Sequence, residues 1–299
     1  MPTPVPAIDR AMQVLDLLAE RPTEPMTLSD IARATGIHKA TCASVLNTMT
    51  AHGLVHRDAA RRYTVGSRLP GLGHAYARRF QPFVIGRPDV IDLVAETGLS
   101  CAVIVRDGDE VVVLDMLGNS RPAHLYMRIG SRVPLAPPVG TIFKAWAPAR
   151  ELDEWVDRMC TEFGGDRTAY TSSIAALRAR GYSLGGEHDV HLELEAALRR
   201  VAKDPADNHV LDVALLVANK IRNYTTGGID EDEPLNSVIG PVFNADSQVV
   251  MTLNLYGELG SARLQDLPRL VPPLLATANR ITQKTGGVLP AGYSVDHRI

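Results

Sequence analysis

Apolar and polar positions in the first part of the chain recur with helical spacing. Ile8, Ala11, Leu15, Leu18 and Ala19 fall on one face and Asp9, Arg10, Asp16 and Glu20 on the other, predicting a helix that stops before Pro22 and Pro25. Thr27-Leu28-Ser29-Asp30 has the form of a capping box, in which a hydroxyl and a carboxylate satisfy orphan N–H groups. Leu28, Ile31 and Ala32 give the second helix its apolar face, and Gly36 stands where a C-cap belongs. Ile37 and His38 lead into a third helix whose buried stripe is Cys42, Val45, Leu46 and Met49; Gly53 ends it. Two short helices meeting through a tight glycine turn predict a helix-turn-helix. Leu54-Val55-His56-Arg57 and Arg62-Tyr63-Thr64-Val65 read as short strands joined by Asp58-Ala59-Ala60-Arg61. The hairpin completes a winged helix over residues 1–66.

The pattern then changes. Residues 67–82 contain Pro70, Gly71 and Gly73, all poor helix residues, so helix is expected only from about Leu72 onward. Pro88 suits the first turn of a following helix with Val90, Ile91, Leu93, Val94 and Ala95 as apolar surface. Residues 101–105 and 111–117 flank Asp107-Gly108-Asp109, a hairpin signal, and strand-like runs recur at 124–128, 182–184, 237–243 and 248–256. Helical patterns lie at 141–147, 151–163, 171–180, 192–202 and 267–285. Hairpins interspersed with helices predict an α+β domain, an antiparallel sheet covered by helices, over residues 83–285. From Gly286 to residue 299 the chain has little to bury and is expected to be a flexible tail.

Charge sharpens this division. Residues 1–80 hold ten Lys/Arg against six Asp/Glu, a balance of +4, and the remainder of the 299-residue chain holds 21 against 28, a balance of −7. A basic module joined to an acidic one is the asymmetry of a protein that meets a polyanion at one end. Three cysteines without a C-x-x-C pair exclude a disulfide framework. No secretory leader is read at Met1, and no apolar run approaches the ~20 residues of a membrane-spanning helix. A cytoplasmic protein that does not meet a membrane is expected.

The third helix turns Lys39, Thr41, Ala43, Ser44, Asn47 and Thr48 away from its buried stripe. Lys39 and Thr41 near the helix start suit phosphate, while Ser44 and Asn47 suit base edges, with Thr48 beside them. Arg57, Arg61 and Arg62 on the hairpin would lie beside a duplex backbone. A lone winged helix reads too few base pairs for genomic specificity, so a dimer on a pseudo-palindromic double-stranded DNA operator is expected. Leu72, Ala75, Tyr76 and Phe80 have the spacing of a pairing seam.

Leu28-Ser29-Asp30-Ile31-Ala32, Gly36-Ile37-His38-Lys39-Ala40-Thr41, Gly53-Leu54-Val55 and Arg62-Tyr63-Thr64-Val65-Gly66 together resemble the IclR family of bacterial transcriptional regulators. The resemblance continues through Gly130-Ser131-Arg132-Val133-Pro134-Leu135, Arg178-Ala179-Arg180-Gly181-Tyr182 and Pro241-Val242-Phe243-Asn244. It implies a linker helix that pairs protomers, a homodimer or dimer of dimers, and a GAF-like effector-binding domain. Position by position, it implies an effector site of Pro138, Val139, Asp230, Ser237, Asn254 and Tyr256. Asn254 and Tyr256 lie two apart on one strand and so share a face. This chain departs from the family pattern at Pro137-Pro138-Val139, at Ser237 where a Cys is usual, and in a longer segment between Tyr182 and Ser237. The implied effector is a small organic molecule with one polar end, such as an aromatic or short aliphatic acid.

Two other readings stay open. One is a winged helix that serves ligand or protein binding without DNA. The other is a metal-dependent enzyme built on Glu187, His188, Asp189, His191 and Glu193, which lacks a zincin motif and a locatable third ligand. No phosphate-binding glycine loop or nucleophile elbow occurs. No cofactor, metal or catalytic residue is expected.

Overall fold

In the computed structural model, residues 5–118, 129–136, 140–163, 166–186, 235–256 and 264–293 are described. The chain forms two compact units, Met1–Arg79 and Phe80–Ile299.

Helix α1 (Pro6–Glu20) starts on Pro6, whose fixed φ suits a first turn. Its buried residues are Val14 and Leu18, whereas Ile8 and Ala19 face outward, so the core stripe is rotated from the expected one. The two-residue strand β1 (Met26–Thr27) leads into α2 (Leu28–Thr35). Thr27 and Asp30 form the expected capping box, and Gly36 closes the helix at φ 68°. Helix α3 (Lys39–Ala51) buries Cys42, Leu46 and Met49. Strands β2 (Val55–Arg57) and β3 (Arg62–Val65) form the hairpin, and β1 adds to β3 as a third strand. Val14, Leu18, Ile31, Ile37, Cys42, Leu46, Met49, Val55 and Tyr63 make one core.

Helix α4 (Leu69–Ala77) begins earlier than its glycines suggest. Pro70 sits in the first turn, where it starts a helix rather than breaking one.

In the second unit, α5 (Gln81–Thr97) takes Pro82 in its first turn and carries Pro88 in its interior, not at its start. Pro88 cannot donate to the Val84 carbonyl, but it lies on the exposed side, where water can take that bond. Strands β4 (Ser100–Asp107), β5 (Glu110–Leu117), β6 (Arg132–Pro134), β7 (Ser183–Gly186), β8 (Leu235–Phe243) and β9 (Val249–Tyr256) form an antiparallel sheet ordered β6-β5-β4-β9-β8-β7. The β4–β5 hairpin turns at Gly108, φ 69°. Helices α6 (Thr141–Lys144), α7 (Ala149–Phe163) and α8 (Arg167–Arg180) share one core with Ile104, Val111, Val113 and Val133 of the sheet. Helix α9 (Leu267–Lys284) packs with α5, so close that a Cβ on Gly86 would stand 2.7 Å from Ile281. This is the expected α+β architecture. The expected strand at 124–128 and helix at 192–202 lie outside the described residues.

Residues 286–293 are packed, contrary to a loose tail. Val288 N–H donates to Asn244 O at 3.0 Å, and the Tyr293 hydroxyl donates to Gly181 O at 3.0 Å. The Tyr293 ring lies 5.1 Å from Phe243 and 5.6 Å from Trp146.

Asp89 of α5 is buried and accepts hydrogen bonds from Lys284 Nζ at 2.8 Å and Arg280 Nε at 2.9 Å, both on α9. Burial pushes its carboxyl up, but the hydrogen bonds and charges of Lys284 and then Arg280 outweigh this and hold it below the ordinary value. A depressed folded pKa stabilises above the unfolded value of about 3.9 and is lost as pH falls through the folded value. Asp89→Ala should cost about 2–3 kcal/mol at pH 7, less than a fully buried pair because both cations are half-exposed. Thermal melts of both proteins across pH should converge in strong acid; a constant gap would contradict this.

Candidate nucleic-acid interface and effector site

Helix α3 exposes Lys39, Ala40, Ser44, Asn47 and Thr48, while Thr41 is half-buried. Ser44 Oγ donates back to Ala40 O at 3.3 Å and Thr48 Oγ1 to Ser44 O at 3.1 Å, so both hydroxyls are partly engaged by their own helix. Lys39 and Asn47 have no such engagement among the described residues. Beside the start of α3 is a depression of about 260 Å³ lined by Arg10, Gln13, Thr35, Gly36, Ile37, His38 and Thr41. Sequence periodicity does not bring Arg10 to this place, because it lies a helix and a turn away along the chain.

The three hairpin arginines are not equivalent. Asp58 accepts from Arg62 N–H at 2.7 Å and from Arg62 Nε at 2.9 Å. The backbone bond of Arg62, outweighing partial desolvation, holds the Asp58 carboxyl below its usual range. The Arg57 guanidinium lies over the Tyr63 ring, 5.6 Å from its centroid. Arg61 is exposed and takes φ 60°, where a non-glycine residue costs about 1–2 kcal/mol.

In the second unit, one sheet face grades from the apolar core shared with α6–α8 into a polar quarter. Register makes it so: Tyr256 pairs with Ser100 on one side and Ser237 on the other, and Asn254 pairs with Ala102 and Ile239. Ser237, Asn254 and Tyr256 are thus brought onto one face, joined by Ser100 and Thr252, which only strand pairing could reveal. Ser100, Ser237, Thr252 and Asn254 are buried. Asn254 Nδ2 donates to Ala102 O at 3.1 Å, Thr252 Oγ1 at 2.9 Å and Thr252 O at 3.3 Å. Among the described residues its donors are therefore committed to the sheet. Burial, with the Cys101 thiol nearby, pushes the Tyr256 phenol far up, so it stays a neutral hydroxyl. Trp155 Nε1 donates to Leu135 O at 2.8 Å, fixing the chain just before residues 137–139. Pro138, Val139 and Asp230 lie outside the described residues, as do Glu187, His188, Asp189, His191 and Glu193.

Cys101 is buried, and desolvation pushes its thiol to about 12, the state of a packing residue and not a nucleophile. Among the described residues no group of three His, Cys, Asp or Glu could hold a metal, and no helix is long and apolar enough to cross a membrane.

A winged helix joined to an antiparallel sheet with a polar face and covering helices defines a two-part regulator class. The IclR helix-turn-helix domain model matches residues 7–59, and the bacterial transcriptional regulator IclR C-terminal model matches residues 74–198. The chain is 30% identical to the HTH-type transcriptional regulator XynR of Escherichia coli K12, over 78% of this chain and 91% of that protein. Its fold resembles the Thermotoga maritima IclR structure with a TM-score of 0.65 at 19% identity, covering 94% of this chain and 99% of that one. It also resembles an IclR homologue from Microbacterium hydrocarbonoxydans complexed with 4-hydroxybenzoate, with a TM-score of 0.57 at 16% identity, covering 93% and 98%. The chain belongs to the IclR family of transcriptional regulators: a DNA-binding protein modulated by an effector.

In that setting Lys39 and Asn47, both exposed on α3, are expected to have separable roles. Lys39→Ala should weaken binding nearly uniformly across sequences, because a phosphate contact carries no base information. Asn47→Ala should relax preference at one base position by about 1–3 kcal/mol, the value of a bidentate contact. Sequence profiles measured by selection from a random duplex library check this; identical profiles for Asn47→Ala and wild type would remove Asn47 from base reading.

Proposed function

We propose that this chain acts in the cytoplasm as a non-enzymatic regulator. It binds a pseudo-palindromic operator as a homodimer, or as a dimer of dimers. A small organic effector on the polar sheet face biases its operator affinity. The observation that carries this reading is the pairing of Ser100 and Ser237 across Tyr256, next to Asn254, on a sheet face otherwise used for core. Hydroxyls and an amide gathered at the edge of an apolar core give a ligand both polar groups to bond and an apolar wall to lie against. Lys39, Thr41, Ser44, Asn47 and Thr48 with the hairpin arginines are the proposed DNA contacts. Pro138, Val139 and Asp230 are proposed to complete the effector site.

Pairing is supported by apolar exposure in the first unit. Val5, just before α1, and Ile8 and Met12 on it are exposed, and Leu72 is exposed on α4. Such side chains suit a protomer interface. Ala75 is exposed beside Leu72, whereas Tyr76 and Phe80 are half-buried, so the seam is proposed to use Leu72 and Ala75 with Ile8 and Met12 of α1.

For the effector, the described polar groups are hydroxyls and one amide oxygen, which suit a hydroxyl or a protonated or amide-bearing end. The related structure with 4-hydroxybenzoate makes that compound, with short aliphatic acids, the panel to test. A panel member should raise the melting temperature of the full chain and shift operator affinity, since a ligand moves an equilibrium only by differential affinity. Tyr256→Ala should lose both responses while keeping ligand-free operator binding. An unaltered response in Tyr256→Ala would remove this face from effector binding.

A further inference from the structure

We propose that the outward face of α5 is a second pairing seam of the homodimer, packed in parallel against α5 of a second copy of this chain. Each Arg87 then meets Asp92 of the partner subunit. The inference rests on the homodimer reading and adds to it a surface in the second unit.

Helix α5 has two apolar sides. One buries Phe83, Gly86, Val90 and Leu93 within the second unit. The other leaves Val84, Pro88, Ile91 and Ala95 exposed, Val84 at 42% and Ile91 at 45%. Steps of four, three and four residues make these one continuous stripe along the helix. Ile85, exposed beside Val84, widens it. A surface helix ordinarily turns charge outward, and apolar side chains scattered singly need no account. A stripe that runs most of the helix marks a contact.

Charge decides what covers the stripe. Read as heptads, Val84, Pro88, Ile91 and Ala95 occupy positions d, a, d and a, with Arg87 at g and Asp92 at e. Arg87 and Asp92 are both exposed and flank the stripe on opposite sides, so they do not face each other within one helix. In a parallel pair, g of one helix faces e of the following heptad on the other, which joins Arg87 to Asp92 twice across the two-fold axis. An antiparallel pair would instead set Arg87 against Arg87 and Asp92 against Asp92. Arg87 Nε donates to Asp115 at 2.9 Å, which orients the guanidinium while its terminal N–H groups can reach across. A stripe flanked by both signs of charge does not suit a polyanion, and its self-complementarity fits a second copy.

Only residues 78–80 separate α4 from α5, which makes this seam continuous along the chain with the one at Leu72 and Ala75. Four seam residues per chain are too few to hold a dimer alone, so α5 strengthens a dimer that the first unit also makes. Val84 opens the seam, so its carbonyl, which Pro88 leaves without a helical donor, stays at the wet end.

Cys42 and Cys101 are buried and Cys160 is half-buried, so the test uses the full chain in a Cys160→Ser background. Ile91→Cys puts a thiol on the seam, against its own copy, and Asp92→Cys puts one on the flank. Mild oxidation with diamide should join Ile91→Cys chains into covalent dimers and leave Asp92→Cys chains single. Asp92→Cys dimers forming as fast as those of Ile91→Cys would mark antiparallel pairing or random collision and overturn the inference. Sedimentation supplies the affinities. Ile91→Arg should weaken dimerisation by about tenfold or more without lowering the melting temperature of the second unit. Asp92→Arg, which faces Arg87 of the partner subunit, should weaken it several-fold, and more at low salt. Wild-type dimer affinity in Ile91→Arg, with no Ile91→Cys cross-link, would overturn the inference alone and leave the homodimer resting on the first unit. A wild-type chain that is monomeric at micromolar concentration would remove the homodimer reading as well.

Discussion

Gly66→Ala is expected to abolish DNA binding by unfolding the winged helix while leaving the second unit folded. A Cβ on Gly66 would stand 2.1 Å from Gly53 O, 2.5 Å from Leu54 C and 2.6 Å from Val55 N. All three are backbone atoms, so no side-chain rotation can relieve the clash. The close approach exists because β3 leaves the hairpin across the entry to β2: Gly66 N–H donates to Leu54 O at 2.8 Å and Arg68 N–H to Gly53 O at 3.1 Å. Separating these segments breaks both bonds and displaces Val55 from the core. The expected cost is about 3–5 kcal/mol, at or above the upper end for overpacking. A unit of this size has roughly 4–10 kcal/mol in total, so a large share of its stability goes. Calorimetry should show one transition lowered or lost and the other unchanged, and gel shifts should show no complex. Wild-type melting and binding by Gly66→Ala would contradict the packing described.

Removing residues 286–299 is expected to destabilise the second unit by about 3–5 kcal/mol. Tyr293 sits edge-on to Phe243 at 5.1 Å and to Trp146 at 5.6 Å, and those two rings meet each other at 5.2 Å. Its hydroxyl reaches Gly181 O, the C-cap of α8, so one side chain ties the chain end to a helix end and to the sheet. Loss of the segment removes the ring that packs on both Phe243 and Trp146. Urea unfolding followed by tryptophan fluorescence should show a lowered midpoint and an altered native spectrum. Tyr293→Ala alone should account for most of the change. A truncated chain with the wild-type midpoint would show that this packing contributes nothing.

The contrast between these two regions shows what local sequence carries. The helix-turn-helix is legible because its signals are local: Thr27 and Asp30 cap α2, Gly36 ends it, and Gly53 follows α3, each within a few residues of the element it bounds. The tail misleads for the opposite reason. Gly286 and Gly287 look like an ending, yet Gly287 is where the chain crosses Phe243 O, 2.1 Å from where a Cβ would stand. The partner of Tyr293 is Gly181, 112 positions away, and no local pattern announces it.

Prolines mislead in a related way. Pro70 and its neighbouring glycines suggest a delayed helix, but a proline in the first turn loses no hydrogen bond. Pro88 suggests a helix start because interior proline is costly; its position on the exposed side of α5 lowers that cost. Strand β1 escapes notice because two residues show no alternation.

At the sites, the stripe on α3 follows from helical periodicity. The different fates of Arg57, Arg61 and Arg62 do not, since they depend on the turn that puts Asp58 against Arg62. Family resemblance points to Ser237, Asn254 and Tyr256, while Ser100 and Thr252 need the β4–β9–β8 register. The side-chain hydrogen bonds to Ala102 and Thr252 reveal that the Asn254 amide donors are already used.

If a paired winged helix recognises DNA by sequence, footprinting the full chain on a duplex recovered from fragmented genomic DNA shows it most directly. Two protected half-sites are expected, related by a two-fold axis and spaced by about one helical turn or a multiple of it, with affinity falling steeply as salt rises. A single half-site bound by a monomer, or uniform weak protection along any duplex, would contradict paired, sequence-specific recognition.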